Sequence, residues 1–135
     1  MRNRLIAFLA TTTLALFAGG AALAAPPAAQ TSSAAGVTIQ ATPTALAGIP
    51  WKFEIVLTTH SGALDDDLAK SASLADGGTA EAPLAWRGDP PGGHHRKGVL
   101  EFAPIAPRPA SIELRIQRAG ESAPRVFRWA LSSGE

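Results

Sequence analysis

Three histidines are the residues of this 135-residue chain best suited to chemistry, and each falls where a strand-like run ends. His94 and His95 stand in Trp86-Arg87-Gly88-Asp89-Pro90-Pro91-Gly92-Gly93-His94-His95-Arg96-Lys97-Gly98; His60 stands in Thr58-Thr59-His60-Ser61-Gly62. There is no cysteine and Met1 is the only methionine, so thiolate sites, zinc fingers and cysteine catalysis are excluded. Neutral imidazole suits copper(II) and zinc, so the chemistry open to these residues is a metal site completed by a carboxylate. Neighbours on an extended segment point to opposite faces, so an extended segment lets only one of the His94–His95 pair join His60, while Gly92-Gly93 and Gly98 leave a loop conformation open. His60 and His94 are therefore the expected ligands, with His95 the alternative to His94 and Asp67 the supporting carboxylate. The competing reading is structural: a histidine in a Gly-Gly loop can hydrogen-bond a carbonyl and fix the turn.

Other chemistries find less support. Leu64-Asp65-Asp66-Asp67-Leu68 offers three carboxylates in a row, but without the glycine and distal glutamate of an EF-hand. It reads as a solvated acidic loop or the start of one helical turn. His60 and Ser61 are adjacent, the wrong geometry for a base and its nucleophile, and no G-x-S-x-G elbow occurs. No glycine-rich loop joins a strand to a helix, and the carboxylates scatter without a pair assignable to acid and base. The expectation is a protein that is not an enzyme.

The elements that must position these residues begin after a leader. Met1-Arg2-Asn3-Arg4 is basic, Leu5 to Leu16 is nearly all apolar, and small residues close with Ala22-Leu23-Ala24. That order describes a secretory signal peptide over 1–24 and predicts a periplasmic or secreted protein, with no membrane attachment after cleavage. Arg2 and Arg4 leave with the leader while all eleven acids stay, so ten basic residues face eleven acids and the net charge becomes −1. Nothing in that balance favours nucleic acid. The new N-terminus, Ala25-Pro26-Pro27, lacks both a histidine and the amides of an N-terminal copper chelate.

Residues 25–36 read as a flexible Ala/Pro/Ser tether and 37–135 as one β domain. Trp51, Phe53, Ile55 and Leu57 alternate with Lys52, Glu54, Val56 and Thr58, a period of two. Ile112, Leu114 and Ile116 face Phe127, Trp129 and Leu131 across the turn Ala119-Gly120-Glu121-Ser122, a hairpin. A weaker hairpin joins Ser71–Ala75 to Ala82–Trp86 through Asp76-Gly77-Gly78, and Val99 to Phe102 is a further short strand. About seven short strands at such spacing predict an all-β, immunoglobulin-like antiparallel β-sandwich, expected as a monomer.

The residues Leu57-Thr58-Thr59-His60-Ser61, Trp86-Arg87-Gly88, Gly92-Gly93-His94-His95-Arg96-Lys97-Gly98-Val99-Leu100-Glu101-Phe102 and Arg125-Val126-Phe127-Arg128-Trp129 resemble a family of small exported domains of uncharacterised function. The resemblance spans most of the mature chain and implies a compact β domain built around the Gly-Gly-His-His-Arg loop, with no activity attached. The two functional expectations are a copper(II)- or zinc-binding protein and a module that binds an exported protein. In the second, Trp86 and the Pro-Pro-Gly-Gly-His-His-Arg loop form the contact, with Arg87, Arg96 and Lys97 meeting an acidic partner.

Overall fold

The computed structural model describes residues 27–132, so the expected leader over 1–24 lies outside the described residues. Nine strands and one helical turn follow in the order β1 (Gln30–Ala34), β2 (Val37–Ala45), β3 (Trp51–Thr59), α1 (Leu68–Ser71), β4 (Ala72–Ala75), β5 (Ala80–Glu81), β6 (Ala85–Gly88), β7 (His95–Phe102), β8 (Ser111–Ile116) and β9 (Arg125–Ala130). Period-two alternation sets the inner face of each. Trp51, Phe53, Ile55 and Leu57 are buried on β3, Leu100 and Phe102 on β7, Ile112, Leu114 and Ile116 on β8, and Phe127 and Trp129 on β9. Phe53 sits near the centre, edge-on to Phe102 and tilted against Trp129, with ring centres 5.7 Å away in both cases.

These faces close between two antiparallel sheets, one ordered β1-β2-β3-β7-β6 and the other β5-β4-β8-β9. Take β2, β3, β4, β6, β7, β8 and β9 as seven strands in chain order. Strands one, two, five and four then form one sheet, and three, six and seven the other, which is the immunoglobulin arrangement. The fold is the expected β-sandwich. Two strands are additional: β1 outside β2, and β5 outside β4.

Three expectations need correction. Residues 25–36 are not all tether, because Gln30–Ala34 forms β1, paired from Gln30↔Ala41 to Ala34↔Val37. Its side chains are polar or small, and it is fastened by main chain instead. Ala35 at φ 48° and Gly36 at φ 75° make the two-residue turn between β1 and β2. Second, the hairpin from β4 is short. β4 pairs with β5 only through Leu74↔Glu81 and Ala75↔Ala80, after which the chain crosses to the other sheet and Trp86 pairs with Leu100. Third, the strand expected over 99–102 begins at His95. The single helical turn follows the three aspartates, with Asp67 at its N-cap position and without a side-chain capping bond. Among the described residues no helix is long and apolar enough to cross a membrane.

Candidate functional site

The register gathers the histidine segments at one end of the sandwich. Val37 pairs with Thr59, and the Thr59 N–H donates to the His94 carbonyl at 2.9 Å. Beyond the strands the two loops continue to pair: Leu64 N–H donates to the Gly93 carbonyl at 3.0 Å, and Gly92 N–H donates to the Leu64 carbonyl at 2.9 Å. The loop that carries His60 therefore runs alongside Gly92-Gly93-His94. Gly92 at φ 117° and Gly93 at φ 73° allow the reversal before β7, a conformation closed to most side chains.

His60, His94 and His95 are all exposed at this end. Pairing opposes His95 to Thr58 on the outer face, while Arg96 opposes Leu57 on the inner one. Asp67 is also exposed, its carboxylate 3.8 Å from Lys70 Nζ. Among the described residues no group of three or more histidine, aspartate or glutamate side chains is arranged to hold a metal ion. The structure thus brings the histidine loops together, but does not assemble His60, His94, His95 and Asp67 into one ligand set.

What the end of the sandwich is built on is Arg96. It is 1% exposed and occupies an inward position of β7, in phase with Gly98, Leu100 and Phe102. Its guanidinium donates to the carbonyls of Leu64 (3.2 Å) and Asp66 (2.7 Å) on one loop and Asp89 (3.2 Å) on the other. Nε has no hydrogen-bond partner among the described residues, and the guanidinium carbon lies 5.6 Å from the Trp86 ring centre. A planar fork on a fixed stem satisfies three carbonyls at once, which a lysine ammonium reaches less well. Arg96, expected at the surface from the sequence, is buried instead. The available signal was alternation, since a strand begun at His95 puts Arg96 inward.

Trp86 is held with it. The indole N–H donates to the Asp89 carbonyl at 3.0 Å, and the Asp89 carboxylate accepts the Lys97 N–H at 2.9 Å, which fixes the Asp89-Pro90-Pro91 corner. The ring lies across Gly88 and Gly98, which oppose each other in the β6–β7 ladder. A Cβ on Gly98 would sit 2.6 Å from the indole and 2.7 Å from the Gly88 Cα. Both glycines make room for the tryptophan. Arg96 and Trp86 are thus part of the frame, not of a contact surface. The exposed Arg87 and Lys97 are engaged too, with Glu101 at 3.0 Å and Glu54 at 3.7 Å.

The same end carries a second polar network. Arg118 contacts Asp66 at 3.1 Å and Glu121 at 3.5 Å, and Arg125 Nη2 contacts Glu121 at 2.6 Å. Beside it, a surface cleft of about 500 Å³ is lined by Asp65, Asp66, Asp67, Lys70, Gln117 and Arg118, among others. Hydrogen bonds from Arg125 hold the Glu121 carboxyl below the usual carboxylate range, against a smaller opposing effect of burial. A carboxyl depressed on folding contributes stability above its unfolded value and loses it as pH falls through the folded one. Glu121→Gln is therefore expected to destabilise the protein at neutral pH and to flatten the acid limb of its stability profile. Urea unfolding at several pH values checks this; a parallel pair of profiles would contradict it.

No protein-family model, curated protein or solved structure matches this chain.

Proposed function

We propose that this protein is an exported, non-enzymatic binding module whose recognition surface is the loop end bearing His60, His94 and His95. The Arg96 fastening is the observation that carries the reading. A buried guanidinium bonded to both loops holds them in one conformation, while the side chains at their tips face solvent. Loops set before contact lose less conformational entropy on binding, which is what a recognition surface on an immunoglobulin-like frame needs. The partner is another exported protein. A photo-crosslinking residue at position 94 in the exported chain should capture one discrete species, while the same residue at Glu81, near the far end of the sandwich, should not. Equal or absent capture at both positions would sink the reading.

A second reading, copper(II) or zinc, is favoured by the Thr59–His94 hydrogen bond that draws the His60 loop beside His94. Two imidazoles with water completing the shell would hold the ion more loosely than a closed three-ligand site. Calorimetric titration with each metal should give weak binding that His60→Ala or His94→Ala abolishes. Binding indifferent to substitution of all three histidines removes the metal from this end.

A further inference from the structure

β1 is a strand that the core does not hold. Its sequence, Gln30-Thr31-Ser32-Ser33-Ala34, offers no apolar side chain larger than alanine, and none of it belongs to the buried cluster. Main chain holds it instead. Beyond the ladder with β2, Arg125 donates to the carbonyls of Ser32 at 3.0 Å and Ala34 at 2.8 Å, and Trp129 Nε1 donates to the carbonyl of Ala28 at 2.7 Å. Gln30 completes the attachment to β9: its side-chain oxygen accepts the Arg128 N–H at 3.0 Å, and its amide nitrogen donates to the Arg128 carbonyl. The receiving groove reads an extended backbone and one glutamine.

The segment that demonstrably fits this groove is residues 28–34, and every copy of the chain carries it. The connection that keeps it at home is two residues long. Ala35, at φ 48°, is the only non-glycine residue with positive φ among the described residues. A β-carbon is crowded in that region, so the closed turn is strained, and opening it into an extended hinge relieves the strain. Short strained hinges invite exchange, because the strand remakes identical bonds on a second copy. We propose that this protein forms a strand-exchanged dimer, in which β1 of each copy pairs with β2 of the other and docks through Gln30 on its β9.

The absence of cysteine gives a direct test. Ser33 Oγ and Thr38 Oγ1 lie 2.8 Å apart across the turn, on the outer face. In Ser33→Cys/Thr38→Cys a closed hairpin places the disulfide within one chain, and exchange places it between two. The full-length variant is unfolded, refolded at low and high protein concentration, oxidised, and run on a denaturing gel without reductant. Ser33→Cys alone sets the background of collisional cross-links. The expected result is a covalent dimer well above that background and rising with concentration. Adding Ala35→Gly is expected to cut the dimer several-fold, since glycine removes the strain of the closed turn. Covalent dimer at background level at every concentration overturns the proposal. So does a dimer that migrates as a monomer once denatured, which would be association without exchange. A dimer fraction unmoved by Ala35→Gly overturns the role of the hinge.

Discussion

Arg96→Met is expected to lower global stability by about 3 kcal/mol and to free both histidine-bearing loops. Two effects oppose each other. Removing the guanidinium relieves the desolvation of a charge that is 1% exposed and faces carbonyl dipoles and an indole, with no carboxylate bonded to it among the described residues. It also leaves the Asp66 carbonyl without a donor and takes a bond from the Leu64 and Asp89 carbonyls, the costly direction in which to break a polar contact. The Leu64 carbonyl keeps the Gly92 N–H and the Asp89 carbonyl keeps the Trp86 indole, but among the described contacts the Asp66 carbonyl has only Arg96. Methionine fills much of the same volume, so a cavity contributes little and the loss is chiefly polar. The loss of donors outweighs the relief of desolvation because three bonds to a charged group vanish together.

The local readout is sharper than the global one. Hydrogen exchange at the Thr59, Leu64 and Gly92 amides, which bridge the two loops, should accelerate far more than exchange at the core of β8. Arg96→Lys should recover part of the stability but not the protection, because an ammonium cannot span both loops in a fork. A denaturation midpoint and exchange pattern like the parent's in Arg96→Met would show that the loops are held by their own backbone bonds. Any ligand of this end should bind the variant more weakly, since its surface would then have to be ordered on contact.

Gly98→Ala is expected to cost about 3 kcal/mol, the upper end for one added methyl in a packed interior. The new Cβ would lie 2.6 Å from the Trp86 ring and 2.7 Å from the Gly88 Cα. A flexible side chain could swing clear, but here one neighbour is backbone and the other a ring pinned by Asp89 and by Arg96 stacked over it. β6 must move away from β7 to free the Gly88 backbone, and the indole is expelled with it. Expulsion would redshift and quench Trp86 emission and disturb the Arg96 contact as well. Trp86→Leu should remove the ring's share of that cost and leave the share owed to the Gly88 backbone, a coupling that a double-mutant cycle by urea unfolding measures. Additive costs would mean that the clash is with backbone alone.

Much of this fold was legible because it follows from period two. Trp51, Phe53, Ile55 and Leu57 must share a face whatever the topology, and so must Ile112, Leu114 and Ile116. The hairpin of β8 and β9 was legible for the same reason, reinforced by a glycine turn. Pairings that follow the sequence locally were harder where side chains gave no period. β1 looks like a tether because its polar composition predicts nothing to bury, and beyond its ladder with β2 the bonds that fasten it and the preceding Ala28 come from Arg125 and Trp129, more than ninety residues on. The crossing of β6 to the other sheet was hidden as well, because Trp86 fits an inner face of either sheet until Gly98 is placed beneath it.

The histidine end divides along the same line. The sequence alone determined that its histidines stand at segment ends and that no sulfur accompanies them. Only the tertiary structure decided that the neighbouring arginine, not a histidine, organises the end. Alternation specifies which face a residue takes, a property of the local chain. Whether an inward arginine is tolerated depends on acceptors that converge from Leu64, Asp66 and Asp89 once the sheets have closed. That convergence is a long-range fact, and no local pattern encodes it.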